Sequence, residues 1–330
     1  MFLMLPFFTL IAGPKARLAA RLQLLLDNDL SDNTDKTRAS QIRKYLEFCA
    51  IYGVDSIYPG NEGIAFYIAH LSNTHKYSSI TGYLSGVNYY LRSHRAPDIK
   101  YNDPLVSRAI RGSRRLLGDS PIQALALLPE HLLCMYECLP ISLGHTSFWA
   151  AALFAFRTLL RKCHYTESDS TLKRDAFQFY DWGMMVTITK TKTIQFKERK
   201  LVLPVCRVKN YSLCAVYWVE KHFHEVKGRP SHSAFLIPDG EGLTPLSYTL
   251  FSDILQMLAS RAGIMAERIS SHGFRSGGAT YLARVGMELD VIKGRGDWKS
   301  DQVLVYLRRP LEDRLALDER VAKLLSKVIM

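Results

Sequence analysis

The stretch from Ser271 to Tyr306 constrains this chain more than any other part of its sequence. His272 and Arg275 stand three residues apart, the run GGA then predicts a turn into a periodic helix, and Tyr306 follows Trp298 by eight residues. One short, mostly helical segment therefore carries an imidazole, a guanidinium, an indole N–H and a phenol. Because these groups can together hold a phosphodiester and attack it without a metal, the segment predicts phosphodiester chemistry.

The charge balance indicates a polyanionic partner. The chain of 330 residues carries 43 Lys and Arg against 31 Asp and Glu, a net charge of +12. A basic protein gains binding free energy from nucleic acid because each neutralised phosphate releases condensed counterions. Solubility alone is the alternative reason for such a charge. With 48% hydrophobic residues, the chain is long enough for two domains with cores of their own.

The cysteines and the N-terminus indicate no metal site and no membrane partner. Six cysteines are scattered through apolar contexts, and we expect reduced core thiols in an intracellular protein. Cys134 and Cys138 lie one helical turn apart without a matching second pair, which argues against zinc. The apolar run MFLMLPFFTLIAG is too short to span a membrane and lacks a basic flank, so we interpret it as a packing segment.

The N-terminal half is predicted to be helical. Apolar residues recur at helical spacing over residues 14–30, 37–53, 63–71 and 79–93. A further helix, DPLVSRAIRGSRRLLG, has four arginines and no acid between Asp103 and Asp119. A solvated basic face is the alternative, but the density of charge favours contact with DNA phosphates by Arg108, Arg111, Arg114 and Arg115.

The C-terminal half is predicted to combine helices with a short β region. Pro121 and Pro129 bracket a linker-like segment, and helical patterns follow at 128–139 and 146–162. Residues 176–205 change to a β-like period, in which the basic segment TKTKTIQFKER is interpreted as strand–turn–strand. Helical patterns resume at 211–226 and 246–261, separated by the turn-like PDGEG.

The order and spacing of HGFR, GGAT, GDWKSD and Tyr306 resemble the C-terminal motif of the tyrosine recombinases, the phage-integrase superfamily. TRASQIRKYLEFC and SITGYLSGV resemble, more loosely, the core-binding domain of eukaryotic crypton-type members. The resemblance covers about residues 34–328. It implies a mainly α fold with a small antiparallel β-sheet, in which a helical SAM-like core-binding domain and an integrase-type catalytic domain clamp DNA. The implied boundaries are an N-terminal extension (1–30), the core-binding domain (31–118), a linker (119–128) and the catalytic domain (129–330).

The resemblance also assigns roles within the C-terminal motif. Tyr306 is implied to be the nucleophile, and Arg275 a bidentate clamp on the phosphate. His272 is implied to hydrogen-bond the phosphate or to assist proton transfer from the phenol. Trp298 stands where many members carry His, and its indole N–H is implied to reach a phosphate oxygen. Packing in the core is an equally good interpretation of this tryptophan.

A second arginine is implied to come from FWAAALFAFRTLLRKCHYTES, which resembles the first-arginine motif of the family. Arg157 and Arg161 are the two candidates. The register of LLRKCHY resembles the crypton-type form and selects Arg161 as the second clamp. Bacterial integrases carry an acid three residues after this arginine, and His164 occupies that position here. The supporting role of that acid is therefore missing from this position.

The leaving-group acid of the family is a lysine in a turn between two strands. KTKTIQF resembles that turn and selects Lys192. A protonated amine aimed at a 5′-oxygen of DNA can deliver its proton as the bond breaks. Lys190 and Lys197 are competitors for this role, and we expect them to contact the DNA backbone instead.

The function implied by the resemblance is that of a transposon-derived, site-specific DNA recombinase or integrase. It would cut and rejoin strands through a 3′-phosphotyrosyl intermediate, with no cofactor, metal or ATP. The implied partners are double-stranded DNA and copies of the same chain, in a homo-tetramer joined through the C-terminal segment. A eukaryotic protein of this kind would be nuclear. The alternatives are a type IB topoisomerase-like nicking-closing enzyme, disfavoured by the helical N-terminal half, and a catalytically silent domesticated DNA-binding protein, disfavoured by the complete set of polar residues.

Overall fold

The computed structural model describes residues 14–27, 29, 31–119, 124–140, 142–196, 198–240, 242–307, 315, 318, 319, 322 and 323. The N-terminal run 1–13, Lys197 and most of the C-terminal segment lie outside the described residues. The chain forms two compact units, Met1–Pro121 and Ile122–Met330, each with its own hydrophobic core.

The described part of the first unit is built from helices alone: α1 Pro14–Asp27, α2 Asp32–Tyr52, α3 Gly60–Ser72, α4 Tyr77–Ser93 and α5 Pro104–Leu117. The helical predictions for this half are therefore confirmed. Helix α2 ends at Gly53, whose φ of 65° is accessible to glycine and whose N–H donates to the carbonyl of Cys49. Helix α5 begins after Asp103, whose carboxylate accepts the N–H groups of Leu105 and Val106. An aromatic cluster of Tyr45, Phe48 and Tyr67 joins α2 to α3 in the core, and the ring of Tyr90 from α4 packs on Tyr45.

The second unit mixes helices and strands. Its described helices are α6 Pro129–Glu137, α7 Leu143–Thr158, α8 Ala215–Glu225, α9 Tyr248–Arg261, α10 His272–Arg284 and α11 Leu289–Gly296. Its described strands are β1 Phe177–Tyr180, β2 Gly183–Ile188, β3 Leu201–Cys206, β4 Leu236–Asp239 and β5 Gly242–Pro245. Helix α7 is buried along most of its length and lies at the centre of the core, since Trp149 and Phe154 are fully buried.

The strands form two small antiparallel sheets, and the larger one lies in the predicted β region. The larger has the order β1-β2-β3, in which Val186 of β2 pairs with Phe177 on one side and Leu203 on the other. These three residues are buried on the face that meets the core. The smaller sheet is the β4–β5 hairpin, which was not predicted. The segment predicted as the turn PDGEG contributes Pro238, Asp239 and Gly242 to its strands, and Asp239 pairs with Gly242. The described residues of the basic segment 189–199 do not form strand–turn–strand, and the β-pairing among them is an isolated bridge between Thr191 and Ile194.

Helix α7 is shorter than predicted. It ends at Thr158 because Leu159 adopts a left-handed conformation with φ 57°, and the N–H of Leu159 closes the helix on the carbonyl of Ala155. Arg161 therefore lies beyond the helix, in extended backbone with φ −81° and ψ 156°. The predicted helix over 146–162 would have placed this arginine on a helical surface.

The prediction of a turn at GGA is wrong, since Gly277 and Gly278 lie inside α10. These glycines serve close packing instead. A Cβ on Gly277 would stand 1.9 Å from the carbonyl oxygen of Leu127, and one on Gly278 would stand 2.2 Å from that of Phe156. Helix α10 can thus approach the end of α7 backbone to backbone, which brings Arg275 to the carbonyl of Leu159.

The cysteines are all free, but they are not all in the core. Cys49 and Cys214 are buried, whereas Cys134 and Cys206 are exposed, so the expectation of core thiols is wrong for the last two. The described residues contain no cluster of three or more His, Cys, Asp or Glu side chains suited to a metal. Within the described ranges, no helix has both the length and the apolar character needed to cross a membrane.

Candidate active site

Helix α10 carries Arg275 into a buried position. The side chain is 1% exposed, and its Nη2 donates to the carbonyl of Gly296 at 2.8 Å while Nη1 donates to the carbonyl of Leu159. The guanidinium carbon lies 3.7 Å from the centroid of the Trp298 ring. The Nε–H has no acceptor among the described residues. The guanidinium is therefore held rigidly from one edge, with a donor left over.

Burial weakens the proton affinity of this arginine without removing its charge. Desolvation and the nearby positive charge of Arg161 lower the pKa of Arg275, Tyr306 and Asp297 act in the opposite direction, and the net pKa is about 9. The guanidinium thus stays protonated at neutral pH. A buried cation without a directly bonded carboxylate is costly, so the site favours an incoming anion.

Tyr306 is placed by the 3₁₀ turn Asp301–Val305, which ends directly before it. Its carbonyl accepts the hydroxyl of Thr280 at 3.2 Å, and its N–H donates to the carbonyl of Val303. The phenol oxygen lies 2.9 Å from Nε2 of His272. The Tyr306 ring packs 5.2 Å from the ring of Trp298, measured between centroids. The phenol is thereby set between the imidazole and the arginine–tryptophan pair.

The surroundings of His272 keep its imidazole neutral. Desolvation by the neighbouring side chains lowers the pKa of His272, and the positive charges of Arg275 and Arg161 lower it further. A neutral imidazole with its proton on Nδ1 offers Nε2 as an acceptor. His272 can therefore receive the proton of the Tyr306 phenol.

Trp298 is in contact with the core and with the site at the same time. It is 7% exposed and belongs to a small cluster with Leu159, Ala279, Ile292 and Val303. Its ring lies so close to Gly296 that a Cβ there would meet the ring at 1.8 Å. The indole Nε1 finds no acceptor within the described residues. The core interpretation of this tryptophan thus holds, and a buried N–H is left unpaired next to Arg275.

The two candidate arginines of α7 and its continuation lie in different surroundings. Arg161 is half-buried, and its charge lowers the pKa of both Arg275 and His272. Arg157 instead lies beside Arg295, whose pKa it lowers, and its carbonyl accepts the Arg295 Nε–H at 2.6 Å. The structure therefore places Arg161 with the cluster around Tyr306 and Arg157 next to Arg295.

His164, at the position where an acid was expected from the family pattern, is buried and neutral. Burial, together with the charges of Arg161 and Arg275, lowers its pKa to about 4. A neutral imidazole supplies no negative charge to orient the arginines. Asp297 acts electrostatically on both His164 and Arg275, so it supplies a carboxylate close to them.

Lys192 lies exposed at the turn between Thr191 and Ile194. Its amine has no acceptor in the part of the chain that the structure describes. The threonines on either side of it, Thr191 and Thr193, both donate their hydroxyls to Oδ2 of Asp297. Lys190 is also exposed, and Lys197 is outside the described residues. Sequence reasoning missed the role of Asp297, since no local pattern links it to a turn more than a hundred residues away.

The basic face of α5, in the first unit, is exposed as the sequence predicted. Arg114 forms an ion pair with Asp119 at 2.8 Å, and its guanidinium also lies over the ring of Tyr77. Arg108, Arg111 and Arg115 have no acidic partner among the described residues. Buried Val106 and Ser113 mark the opposite face, which packs on the core. This face is therefore available to a polyanion.

Known proteins are similar to this chain in three-dimensional structure but not in sequence. Neither a protein-family model nor a curated protein sequence matches the chain. Among solved structures, the Tn1549 transposon integrase in complex with transposon right-end DNA is similar, with a TM-score of 0.60 and 14% identity over 93% of this chain and 98% of that one. The XerH site-specific recombinase bound to a palindromic difH substrate has a TM-score of 0.54 and 14% identity, over 78% of this chain and 70% of that one.

A lambda integrase dimer bound to a COC′ core site is similar as well, with a TM-score of 0.56 and 16% identity over 92% of this chain and 78% of that chain. At such low identity a likeness establishes the fold and not the activity. The mostly helical architecture with small antiparallel sheets, together with these neighbours, shows that this chain has the fold of the tyrosine recombinases and integrases.

Proposed function

We propose that this protein is a site-specific DNA recombinase that cuts and rejoins strands through a covalent bond to Tyr306. One observation carries the proposal: the phenol of Tyr306 lies 2.9 Å from the His272 imidazole, beside the unpaired N–H groups of Arg275 and Trp298. The donors suit a phosphodiester, which has two non-bridging oxygens to accept them. The phenol and imidazole suit a nucleophile and its base.

Binding of the phosphate comes first. The scissile phosphate approaches Arg275 and Trp298, and the half-buried Arg161 contributes a second positive charge. In a buried site such fixed charges stabilise the extra negative charge of the transition state, and they need no reorganisation to do so. These groups would therefore act as the clamp.

Attack then forms one bond and breaks another. The phenol oxygen of Tyr306 bonds to phosphorus as the bond from phosphorus to the 5′-oxygen breaks, which leaves a 3′-phosphotyrosyl link. The phenol proton passes to Nε2 of His272, and the amine of Lys192 protonates the departing 5′-oxygen. Attack by a 5′-hydroxyl of a partner strand runs these transfers in reverse. Protein groups fill every role in this scheme, so we propose that it needs neither metal nor ATP.

The partners follow from this chemistry. The exposed arginines of α5 would contact the backbone of double-stranded DNA, since phosphate contacts position a protein without reading sequence. The similar integrases and recombinases were solved in complex with DNA. Exchange of strands needs two duplexes, so we propose that four copies of the chain assemble on DNA through their C-terminal segments.

The finer lineage is also a proposal. LRKCHY and KTKTIQF support an origin in a crypton-type transposon of a eukaryote, in which case the protein would act in the nucleus. The similar solved structures come instead from the Tn1549 transposon, the XerH system and lambda, so the proposal rests on these motifs alone.

A covalent-trapping experiment tests the function. A pool of nicked duplexes with randomised cores is incubated with the protein. The nick lets a short fragment with the 5′-hydroxyl diffuse away after cleavage, so the strand cannot be rejoined and any covalent complex is trapped. Complexes that survive denaturant are digested, and the DNA-linked peptide and the DNA are both sequenced. A 3′-phosphotyrosyl link at Tyr306 is the expected result.

Two outcomes would replace the proposal. If the protein relaxes a supercoiled plasmid and yields no recombinant product on any trapped site, it is a topoisomerase-like nicking-closing enzyme. If it binds the duplexes and yields no adduct, it is a DNA-binding protein without catalysis. The all-helical described part of the first unit argues against the former, because the viral type IB enzymes of similar size begin with a strand-rich domain.

A further inference from the structure

Asp297 is a buried carboxylate in an unusual backbone position. It follows α11 directly, between Gly296 and Trp298, with a left-handed φ of 56°. Its side chain is 4% exposed. Aspartate tolerates this conformation better than most residues, but burial of an ionised carboxylate is costly unless hydrogen-bond donors surround it. The donors here come from a distant part of the chain.

Within the described part of the chain, the side chains that donate to Asp297 all belong to the segment around Lys192. Oδ2 accepts the hydroxyls of Thr191 and Thr193, the two residues that flank the lysine. Oδ1 accepts the guanidinium of Arg199, which stands a few residues further along. Burial alone would raise the pKa of Asp297, yet these three donors hold it below its usual value. The carboxylate is thus ionised and joined to both sides of the lysine turn.

Local contacts also hold the turn, since Ile194 is fully buried and the side-chain amide of Gln195 donates to the carbonyl of Lys192 at 2.6 Å. Its backbone pairing is the single bridge between Thr191 and Ile194, with N–H to O distances of 3.1 and 3.3 Å. The Thr191 hydroxyl oxygen also accepts the N–H groups of Thr193 and Ile194 at 3.0 Å each, so the group that contacts Asp297 also closes the turn. Lys192 itself is exposed and is not bonded to Asp297. Without the Asp297 anchor, Lys192 would be held by the local bonds of the turn and by the burial of Ile194, and it would sample more conformations.

We propose that Asp297 is a positioning residue that locks the Lys192 turn beside Trp298. This inference rests on the proposed function. Asp297 and Trp298 are adjacent in the chain. Anchoring the turn to Asp297 therefore fixes the position and direction of the Lys192 side chain relative to Trp298 and the phosphate site. The amine of Lys192 can then meet the 5′-oxygen as its bond to phosphorus breaks and give it a proton. The carboxylate takes no part in bond making.

A second effect of Asp297 has to be separated from this one. The carbonyl of Gly296, one residue earlier, accepts from Arg275. A change at Asp297 could therefore disturb the phosphate clamp rather than the acid. The two effects differ in chemistry, because a clamp is needed whatever the leaving group is, whereas a general acid is needed only when the leaving group requires a proton.

The test compares two substrates. Nicked duplexes of one trapped sequence are made with the ordinary 5′-bridging oxygen and with sulfur in its place, since a thiolate departs without protonation. Asp297→Asn keeps a residue suited to the left-handed backbone and removes the charge that Arg199 needs. Thr193→Val removes one hydroxyl at nearly constant shape. Asp290→Asn, an exposed carboxylate in the first turn of α11, is the matched control.

The expected result is selective. Asp297→Asn and Thr193→Val should cleave the oxygen substrate about 10- to 100-fold more slowly than the unaltered protein, as small displacements of a catalytic group often do. Both should cleave the sulfur substrate at nearly the unaltered rate, and Asp290→Asn should cleave both normally. The double variant Lys192→Ala/Asp297→Asn should cleave the oxygen substrate at the same rate as Lys192→Ala alone.

Three results would overturn the inference. Equal slowing on both substrates would mean that Asp297 supports the clamp or the fold. Normal cleavage of the oxygen substrate by Asp297→Asn would mean that the turn needs no anchor. Strictly additive losses in the double variant would mean that Asp297 and Lys192 act separately. If the unaltered protein forms no adduct with either substrate, the proposed function itself has failed, which this comparison distinguishes.

Hydrogen exchange supplies a readout that needs no DNA. The amides of Thr191 and Ile194 are bonded across the turn, so they should exchange slowly in the unaltered protein. Asp297→Asn should speed their exchange at least about tenfold, while the amides of the β1–β3 sheet remain as protected as before. Unchanged exchange at both positions would contradict the anchoring role, whatever the activity.

Discussion

Nε2 of His272 lies 2.9 Å from the phenol oxygen of Tyr306, although 34 residues separate the two in the chain. The imidazole comes from the start of α10. The phenol belongs to the residue directly after the 3₁₀ turn Asp301–Val305, and the backbone carbonyl of Tyr306 accepts the hydroxyl of Thr280 from the same helix α10. One helix thus sets both partners. The contact predicts that cleavage depends on the Tyr306 phenol and on the protonation state of His272.

Replacement of Tyr306 by Phe should abolish the covalent DNA adduct and leave DNA affinity nearly unchanged. The phenol oxygen is the nucleophile and contributes little to ground-state binding, while the ring still packs on Trp298. Adduct formation is measured on the trapped duplex, and affinity by titration at fixed salt. An adduct formed by the Phe variant would show that another residue is the nucleophile.

Cleavage should slow as the pH falls through the pKa of His272. This pKa is lowered from its usual 6.5 by desolvation and by the charges of Arg275 and Arg161, so the acidic limb should have its midpoint below 6.5. Above the midpoint the imidazole is neutral and accepts the phenol proton, and below it the protonated ring cannot. Single-turnover rates between pH 4.5 and 8 measure the limb.

His272→Gln is the control for that limb, because an amide accepts a hydrogen bond but does not take up the proton. Its rate should be about 100-fold lower, and the acidic limb should disappear. Retention of the same limb by the Gln variant would assign the titration to another group.

Arg161→Ala should slow cleavage by about two to three powers of ten, as the loss of one fixed charge at a transition state commonly does. Arg157→Ala should cost far less, since Arg157 lies next to Arg295 and not with the Tyr306 cluster. Single-turnover cleavage of the same duplex by both variants gives the comparison. The reverse ranking would show that the register of LLRKCHY was assigned incorrectly.

Lys192→Ala should cripple cleavage of ordinary DNA and leave cleavage of the 5′-sulfur substrate near the unaltered rate. The reason is that thiolate leaves without a proton from a general acid. Arg275→Ala should be slow on both substrates because the phosphate oxygens still need their clamp. Rescue of Lys190→Ala in place of Lys192→Ala would identify Lys190 as the acid, and rescue of neither would place the acid outside this turn.

Folding stability should decline in mild acid because two histidines are buried in neutral form. Burial lowers the pKa of His164 to about 4 and that of His222 to about 3, from 6.5. Above 6.5 neither the folded nor the unfolded form is protonated there. As the pH falls below 6.5, these histidines become protonated in the unfolded chain but stay neutral in the folded form. Each of them therefore lowers the free energy of unfolding by up to about 1.4 kcal/mol per pH unit.

Denaturant unfolding at pH 7, 6 and 5 measures this decline. In His222→Gln, which retains an acceptor for the N–H of Leu236, the free energy of unfolding should fall less steeply with decreasing pH. An equally steep decline in that variant would mean that other groups cause the acid sensitivity.

Much of the architecture was predictable because its determinants are local. The apolar spacing of α2 to α5 follows from the period of the helix, and Gly53 ends α2 by its own conformational freedom. The β-like period predicted for residues 176–205 corresponds to β1, β2 and β3. Two local predictions failed where tertiary contacts decided the backbone. The turn predicted at GGA is part of α10, because α10 packs closely on the carbonyls of Leu127 and Phe156. The strand–turn–strand predicted for 189–199 is absent from its described residues, where Thr191 and Thr193 donate to Asp297 instead.

The sequence by itself determined which chemical groups are available: the phenol, imidazole, guanidinium, indole and amine of a phosphodiester-cleaving site, in an order that resembles the tyrosine recombinases. Only the tertiary structure decided their relations. Arg275 donates to the carbonyl of Leu159 across 116 residues, and Thr191 donates to Asp297 across 106. Periodicity and spacing do not predict such contacts, because the partner of each side chain depends on which distant segment the packing of the core brings next to it. The residue types follow from the chain, whereas burial, pairing and charge at the site arise from the packing of α7, α10 and α11.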